Sequence, residues 1–408
     1  MDLHVAILGG GPAGASLATY LARQGVSATV FDGGERPPLI VGESLVPAVI
    51  PFLKRLGIED EVKEYGLYKP GAIFRFAEDR LLDFRFGEVR GAETLYAYNV
   101  PRDRLDASIR GAAERAGARL VPEHAKLERD GDRVRLSAKS LAAGGFRAQP
   151  DWIIDASGRA RVLARLLDLP TEEGDRRDAA LHAHFEGVTL IDENVIHTDR
   201  LDHGWSWRIP LPGRVSVGLV MDKHVLREFG DTAEEQFEAV LRHDPLLNDW
   251  GATAKRITPV MRYTNYQLQT QQVFGPGWAL VGDAFGFVDP VFSSGLLIGL
   301  DGAYTLSRAL LSKRKDALAR YEAHVRKQLT NWHRVVRYFY DGRLFTLFQI
   351  GDDLSDRWFS KPMNFHFRKH MPRVITGEAT THPYSMGLLD FMVNNALLDR
   401  DPAEFAVR

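Results

Sequence analysis

Residues 2–8 are mostly apolar with little alternation, the pattern of a strand buried on both faces in a parallel sheet. Helical spacing follows over Ala15–Arg23, stops at Gly25, and gives way to a second apolar strand, Ser27–Phe31. An amphipathic helix is predicted over Ala48–Leu56, and a strand after the Pro70-Gly71 turn, through Phe76. Val100-Pro101-Arg102 opens a helix to Arg115 with Leu105, Ile109, Ala112 and Ala113 on its apolar face and Gly117 at its end. Residues 118–150 read as strands around an Asp130-Gly131 turn, and Trp152–Asp155 as another apolar strand. The stretch 180–222 is β-rich, and alternation puts Trp205, Trp207 and Ile209 on one face, by itself an ordinary core-facing stripe. A helix is predicted at Ala233–Arg242, a strand at Tyr263–Thr270, and a short apolar strand at Trp278–Val281. Helical spacing starts at Leu296 and dominates from Ala303, with breaks expected near Pro362, Pro372 and Gly377.

This order implies an α/β fold class: a Rossmann-like domain, an inserted β-rich substrate domain and a helical C-terminal region. Nucleotide-binding segments are expected at 1–76, 100–179 and 275–312, substrate-domain segments at 77–99 and 180–274, and the helical region at 313–408.

Composition narrows the partners more than the fold. The 408 residues carry a net charge of -2, so no global field draws nucleic acid or an anionic membrane. Cysteine is absent, which excludes disulfides, thiolate metal sites and Cys nucleophiles. No apolar run reaches the ~18 residues of a membrane span. Val5–Leu8 lacks a basic flank and reads as a strand, not a signal peptide, so a cytoplasmic protein is expected. His366 and His370 stand four apart, but no third ligand stands out and no metal is expected.

The chemistry is carried by turns. Gly9-Gly10-Gly11-Pro12-Ala13-Gly14 lies between a strand and a helix, and the next strand ends in Asp32. In that context Gly9 permits the tight turn, Gly11 admits a pyrophosphate, Gly14 lets helix and strand pack, and Asp32 accepts from ribose hydroxyls. Asp155-Ala156-Ser157-Gly158 is a second strand-end turn of the same kind. A third, Gly282-Asp283, leads through Pro290 to Ser293-Ser294-Gly295 at a helix start, where backbone N–H groups can face an anion. Lys69, taken singly, is an unremarked surface charge.

Together these stretches resemble the FAD-dependent halogenases, within the wider group of single-component monooxygenases and geranylgeranyl reductases. The three turns are common to that whole group. Trp205-Ser206-Trp207-Arg208-Ile209-Pro210 matches the halogenase W-x-W-x-I-P, and Phe287-x-x-Pro290-x-x-Ser293-x-Gly295 matches F-x-x-P-x-x-S-x-G. Gly42-Glu43-Ser44 and Lys69 fall where the family carries its flavin-side glutamate and its catalytic lysine. The resemblance covers roughly residues 1–345 and leaves the role of 346–408 open. Tryptophan halogenases carry Glu before the motif Ser. Here that residue is Phe292, as in phenol and pyrrole halogenases, several of which act on acyl groups tethered to a carrier protein.

The resemblance implies FAD, used as FADH2 with O2 and chloride or bromide, and an electron-rich aromatic substrate. Gly9, Gly11, Pro12, Ala13, Gly14, Asp32, Glu43, Ser44, Arg102, Asp155, Gly282, Asp283, Pro290 and Gly295 are expected at the cofactor. Ser293, Ser294 and Gly295 are expected at the halide, Lys69 at the transferred halogen, and Trp205, Trp207, Ile209, Pro210 and Phe292 along the tunnel between. A single Rossmann unit hints at a separate flavin reductase. An acyl carrier protein is a second candidate partner: residues 305–343 hold ten Lys and Arg against three acids, a solvated helix face or a dock for an acidic carrier. Alternatives are a flavin monooxygenase or ene-reductase of the same fold, with both Trp as core, and a non-catalytic FAD-binding protein.

Overall fold

The computed structural model describes residues 3–34, 37, 39–247, 253–264, 267–353, 361–397 and 400–407. Five strands run parallel in the order Trp278–Leu280, Trp152–Asp155, His4–Leu8, Ser27–Phe31, Arg119–Val121, with Phe274–Gly275 antiparallel at one edge. Val5, Ala6 and Ile7 are fully buried, which is why their stretch shows no alternation. Parallel strands end on the same side, so Gly9, Asp32, Ala156 and Gly282 gather along one rim.

A larger, mainly antiparallel sheet follows the order Lys255–Arg256, Asp178–Glu186, Arg214–Asp222, Gly204–Leu211, Ile196–Leu201, Gly71–Ala77, Arg80–Arg85, with Met261–Thr264 also on Asp178–Glu186. The strand Gly71–Ala77 pairs in this sheet, so the boundary expected after residue 76 falls inside it. All eight residues of Gly204–Leu211 are buried: Trp205, Trp207 and Ile209 face the main core, and the other face carries an ion cluster. There Asp199 accepts from Arg75 Nε at 2.7 Å, Arg208 Nη2 at 3.2 Å and Ser206 Oγ at 3.1 Å.

Three expectations change. Residues 118–150 hold the strands Arg119–Val121, Leu127–Asp130 and Arg133–Leu136, but also a helix, Ala138–Gly144. At seven residues it is too short to show a period. It is fixed by its ends, Ser137 accepting from the Ser140 N–H and Gly145 at φ +70°. The stretch Tyr263–Thr270 is split between two sheets, its strands being Met261–Thr264 and Leu268–Thr270; residues 265 and 266 lie outside the described residues. Pro372 does not break the C-terminal region, since one helix runs Lys361–Ile375 through it. Pro362 sits in that helix's first turn, where its missing N–H costs nothing. Gly377, at φ +87°, does separate it from the helix Pro383–Asn395. No described helix is long and apolar enough to cross a membrane.

Candidate active site

The glycine turn is built for close approach. A Cβ on Gly14 would stand 2.0 Å from Gly9 O, and one on Gly9, at φ +100°, 2.5 Å from Ala156 O. Pro12 opens the helix Pro12–Ala22, and no side chain caps its N-terminus. That end therefore aims N–H groups and positive dipole into the cleft. Asp32 stands 3.5 Å from Arg110 at the next strand end. Gly282, at φ +63°, packs against Ala13 and Gly299, so the first and third turns meet. Asp283 opens in part onto a cleft of about 590 Å³, yet its desolvated setting raises its carboxyl to about 6 against the pull of Arg159 and Arg102. Asp155 is different. Its carboxylate is fully buried and accepts from Ser157 N and Oγ and Leu163 N, so it holds its own turn together.

A second cleft, of about 310 Å³, is lined by Glu43, Arg102, Arg110 and His184 among others. Arg102 donates to Val41 O and pairs with Asp106 at 3.1 Å, pinning the loop that carries Gly42 (φ +90°). Glu43 and His184 are both buried and meet at 2.9 Å. Uncapped N–H groups, an arginine and an acid at the strand ends form the donor and acceptor set that a dinucleotide requires, and the glycines leave its backbone approach open. FAD fits these residues.

Lys69 ends the strand Leu67–Lys69, which pairs with Ala97–Asn99. Its side chain is 4 % exposed, donates to Ser44 Oγ at 2.8 Å and Leu45 O at 2.9 Å, and lies 5.4 Å over Phe86. Both acceptors are uncharged, so burial dominates and lowers the amine from 10.5 to about 7. The lysine is not a surface charge.

The third turn continues through Pro290 to Ser293, held at φ +52° where the helix Ser294–Leu310 begins without a side-chain cap. Ser294 Oγ is buried and meets no partner. Phe292 packs on Trp332 at 6.2 Å and on Phe339 at 5.7 Å; Phe339 also touches Trp205 at 6.4 Å, and Trp205 touches Trp207 at 5.7 Å. One aromatic wall thus joins the loop to the W-x-W strand. A buried polar chain runs beside it. Trp205 Nε1 donates to Tyr340 OH at 2.9 Å, Tyr340 OH to Asp289 Oδ2 at 3.1 Å, and Val291 N to Asp289 Oδ1 at 2.9 Å. Arg176, paired with Asp178 at 2.6 Å, lies 3.6 Å over the Tyr340 ring.

The model of the tryptophan halogenase family matches residues 4–90 and 85–344. The chain belongs to the tryptophan halogenase family. It is 29% identical over 385 residues, 85% of this chain and 86% of the relative, to the 1H-pyrrole-2-carbonyl-[peptidyl-carrier protein] chlorinase of Pseudomonas fluorescens. Its fold is shared with a flavoprotein/dehydrogenase from Cytophaga hutchinsonii (TM-score 0.80, 22% identity, 97% of this chain and 98% of that one). It is likewise shared with the flavin-dependent brominase Bmp2 (TM-score 0.80, 20% identity, 96% of this chain and 99% of that one). The protein is a flavin-dependent halogenase, an oxidoreductase that uses FAD and a halide.

In this halogenase, sequence reasoning missed His184 behind Glu43, the Asp289–Tyr340 link, and Asn99 beside Lys69. Asp289 and Tyr340 each sat in a stretch already singled out, but a sequence separation of 51 left no local sign of pairing. His366 and His370 stack at 6.2 Å in the C-terminal region; among the described residues no group of three or more His, Cys, Asp or Glu could hold a metal.

Proposed function

We propose that Lys69 carries the halogen to an electron-rich aromatic acyl group delivered on a carrier protein, with FAD reduced by a separate flavin reductase. The observation that carries this reading is a buried lysine whose amine is held near neutrality by desolvation. Reduced FAD, when bound, supplies with O2 the oxidising equivalent that converts halide to hypohalous acid. The uncapped N-terminus of Ser294–Leu310, with Ser293, Ser294 and Gly295, offers N–H and O–H donors to the halide. Trp205, Trp207, Ile209 and Phe292 form a dry wall that keeps organic substrate apart from the cofactor cleft, whereas Pro210 alternates onto the strand's other face with Ser206 and Arg208. The neutral Lys69 amine takes the halogen from hypohalous acid, its N–H proton leaving with hydroxide as water. The aromatic carbon then takes the halogen from nitrogen, and the displaced ring proton returns to the amine. A lysine at its ordinary 10.5 would be protonated at neutral pH and have no lone pair for the first step.

Phe292 favours a phenol- or pyrrole-type substrate over free tryptophan, and the pyrrole carrier-protein chlorinase is similar along most of both chains. The test is Lys69→Ala, followed by mass spectrometry for the halogen isotope pattern. Halogenated product should vanish while O2 still reoxidises reduced FAD. Retained halogenation would remove Lys69 from this role. A product oxygenated in the wild type without any halide would favour the monooxygenase reading.

A further inference from the structure

Asn99 is 0 % exposed, and neither its side-chain oxygen nor its nitrogen has a hydrogen-bond partner. Buried amides are nearly always paired, because an unpaired one forfeits its hydration without return. Its position is specific. Asn99 stands opposite Leu67 in the antiparallel pair that also places Ala97 opposite Lys69, and Ser44 bridges to Asn99 from the other side. Opposed residues share a face. Asn99, Ser44 and Lys69 therefore lie on one face, as the 2.8 Å contact of Lys69 with Ser44 requires. The Gly204–Leu211 strand, with Trp205 and Trp207, packs against Ala97–Asn99. The strand that carries the orphan amide thus lies between the strand of the lysine and the strand of the tryptophans.

We infer that Asn99 is a substrate-specificity residue that pairs with an aromatic substrate presenting a hydrogen-bond donor beside a carbonyl. This rests on the reading of Lys69 as the halogen carrier. A primary amide offers an acceptor oxygen and a donor N–H side by side. Its complement is a ring N–H or O–H next to a carbonyl, as in a pyrrole-2-carbonyl or an ortho-hydroxybenzoyl group. Two hydrogen bonds then fix the ring's orientation, and with it the carbon that faces Lys69.

The experiment is calorimetry on the FAD-loaded protein with pyrrole-2-carboxamide and its N-methyl analogue. The wild type should bind the first roughly ten- to a hundredfold more tightly, because the analogue leaves the Asn99 oxygen buried and unpaired. Asn99→Leu, similar in shape, should bring that ratio to about one and, lacking an orphan amide, melt roughly 1–2 °C higher. FAD affinity should not change. Equal binding by the wild type, or a preference that survives in Asn99→Leu, overturns the inference. Lost FAD affinity with the preference intact assigns the amide to the cofactor and overturns it as well. A lost preference with a lower melting temperature marks a structural amide, with the same consequence. Should Asn99→Leu fail to fold, Asn99→Ser is read on the preference alone. Lys69→Ala keeps the preference while losing halogenation, so the two readings fail separately.

Discussion

At Lys69, burial and hydrogen bonding pull in different directions. Two neutral acceptors hold the amine in place without supplying the negative charge that would keep it protonated. The amine titrates near 7 in the fold against 10.5 in the open chain. Between those values the unfolded chain binds more protons, so stability rises with pH across that window. Below about 7 both states are charged and the folded protein bears the full desolvation cost. Lys69→Met removes the titrating group and leaves Ser44 Oγ and Leu45 O unpaired at every pH. Its melting temperature relative to wild type should therefore be higher at pH 6 than at pH 9. A difference that stays flat from pH 6 to pH 9 would show an amine with an ordinary affinity for protons. The same titration should appear in catalysis, with product formation rising as pH passes upward through about 7.

Among elements, the W-x-W strand and the loop before Ser294–Leu310 act as one unit through Tyr340. Its hydroxyl accepts from Trp205 and donates to Asp289, whose other oxygen holds the Val291 N–H two residues short of Ser293. Tyr340→Phe leaves a buried carboxylate oxygen and an indole N–H without that partner. A loss of about 1.5–3 kcal/mol in urea unfolding is expected, the range for hydrogen bonds to charged groups. The halide concentration for half-maximal product formation should rise too, because the loop is less firmly held. A loss below about 0.5 kcal/mol, typical of surface changes, would mean the link is idle. This link also marks the limit of what sequence could tell. Gly9–Gly14, Asp32 and Gly282-Asp283 were legible because each turn needs its residue types at fixed local spacing. The alternation of Trp205, Trp207 and Ile209 foretold their shared face, though not that the opposite face of Gly204–Leu211 is buried too, by the Asp199 cluster. Lys69 was placed by motif, but its burial depends on Ser44, Leu45 and Phe86, and no periodicity reports such distant contacts. His184, Asn99 and Tyr340 were invisible for the same reason.

Across the whole molecule, a carrier-bound substrate of the kind proposed would have to reach a buried lysine. Residues 305–343 carry ten cations against three acids. The structure shows much of that charge already used: Arg314 and Arg320 share Asp316, Arg326 pairs with Glu322, Arg334 with Asp390 and Arg343 with Asp341. Reversing Arg314 would therefore confound docking with loss of its ion pair, and Lys313 and Lys315 are the cleaner probes. They follow the 17-residue helix Ser294–Leu310, which leads about 25 Å away from the loop proposed to hold the halide. A carrier seated there must present its acyl group on a long flexible arm, whereas a free acid has no need of the patch. Lys313→Glu with Lys315→Glu should lower kcat/KM for the carrier-bound aryl thioester several-fold at low salt and leave the free acid unchanged. The loss should shrink toward 1 M salt, as the Debye length falls from about 10 Å at 0.1 M to about 3 Å. Preferred turnover of the thioester with no effect of the reversal would place the carrier on another face. Equal turnover of thioester and free acid, with or without the reversal, would make the protein a halogenase of free small molecules.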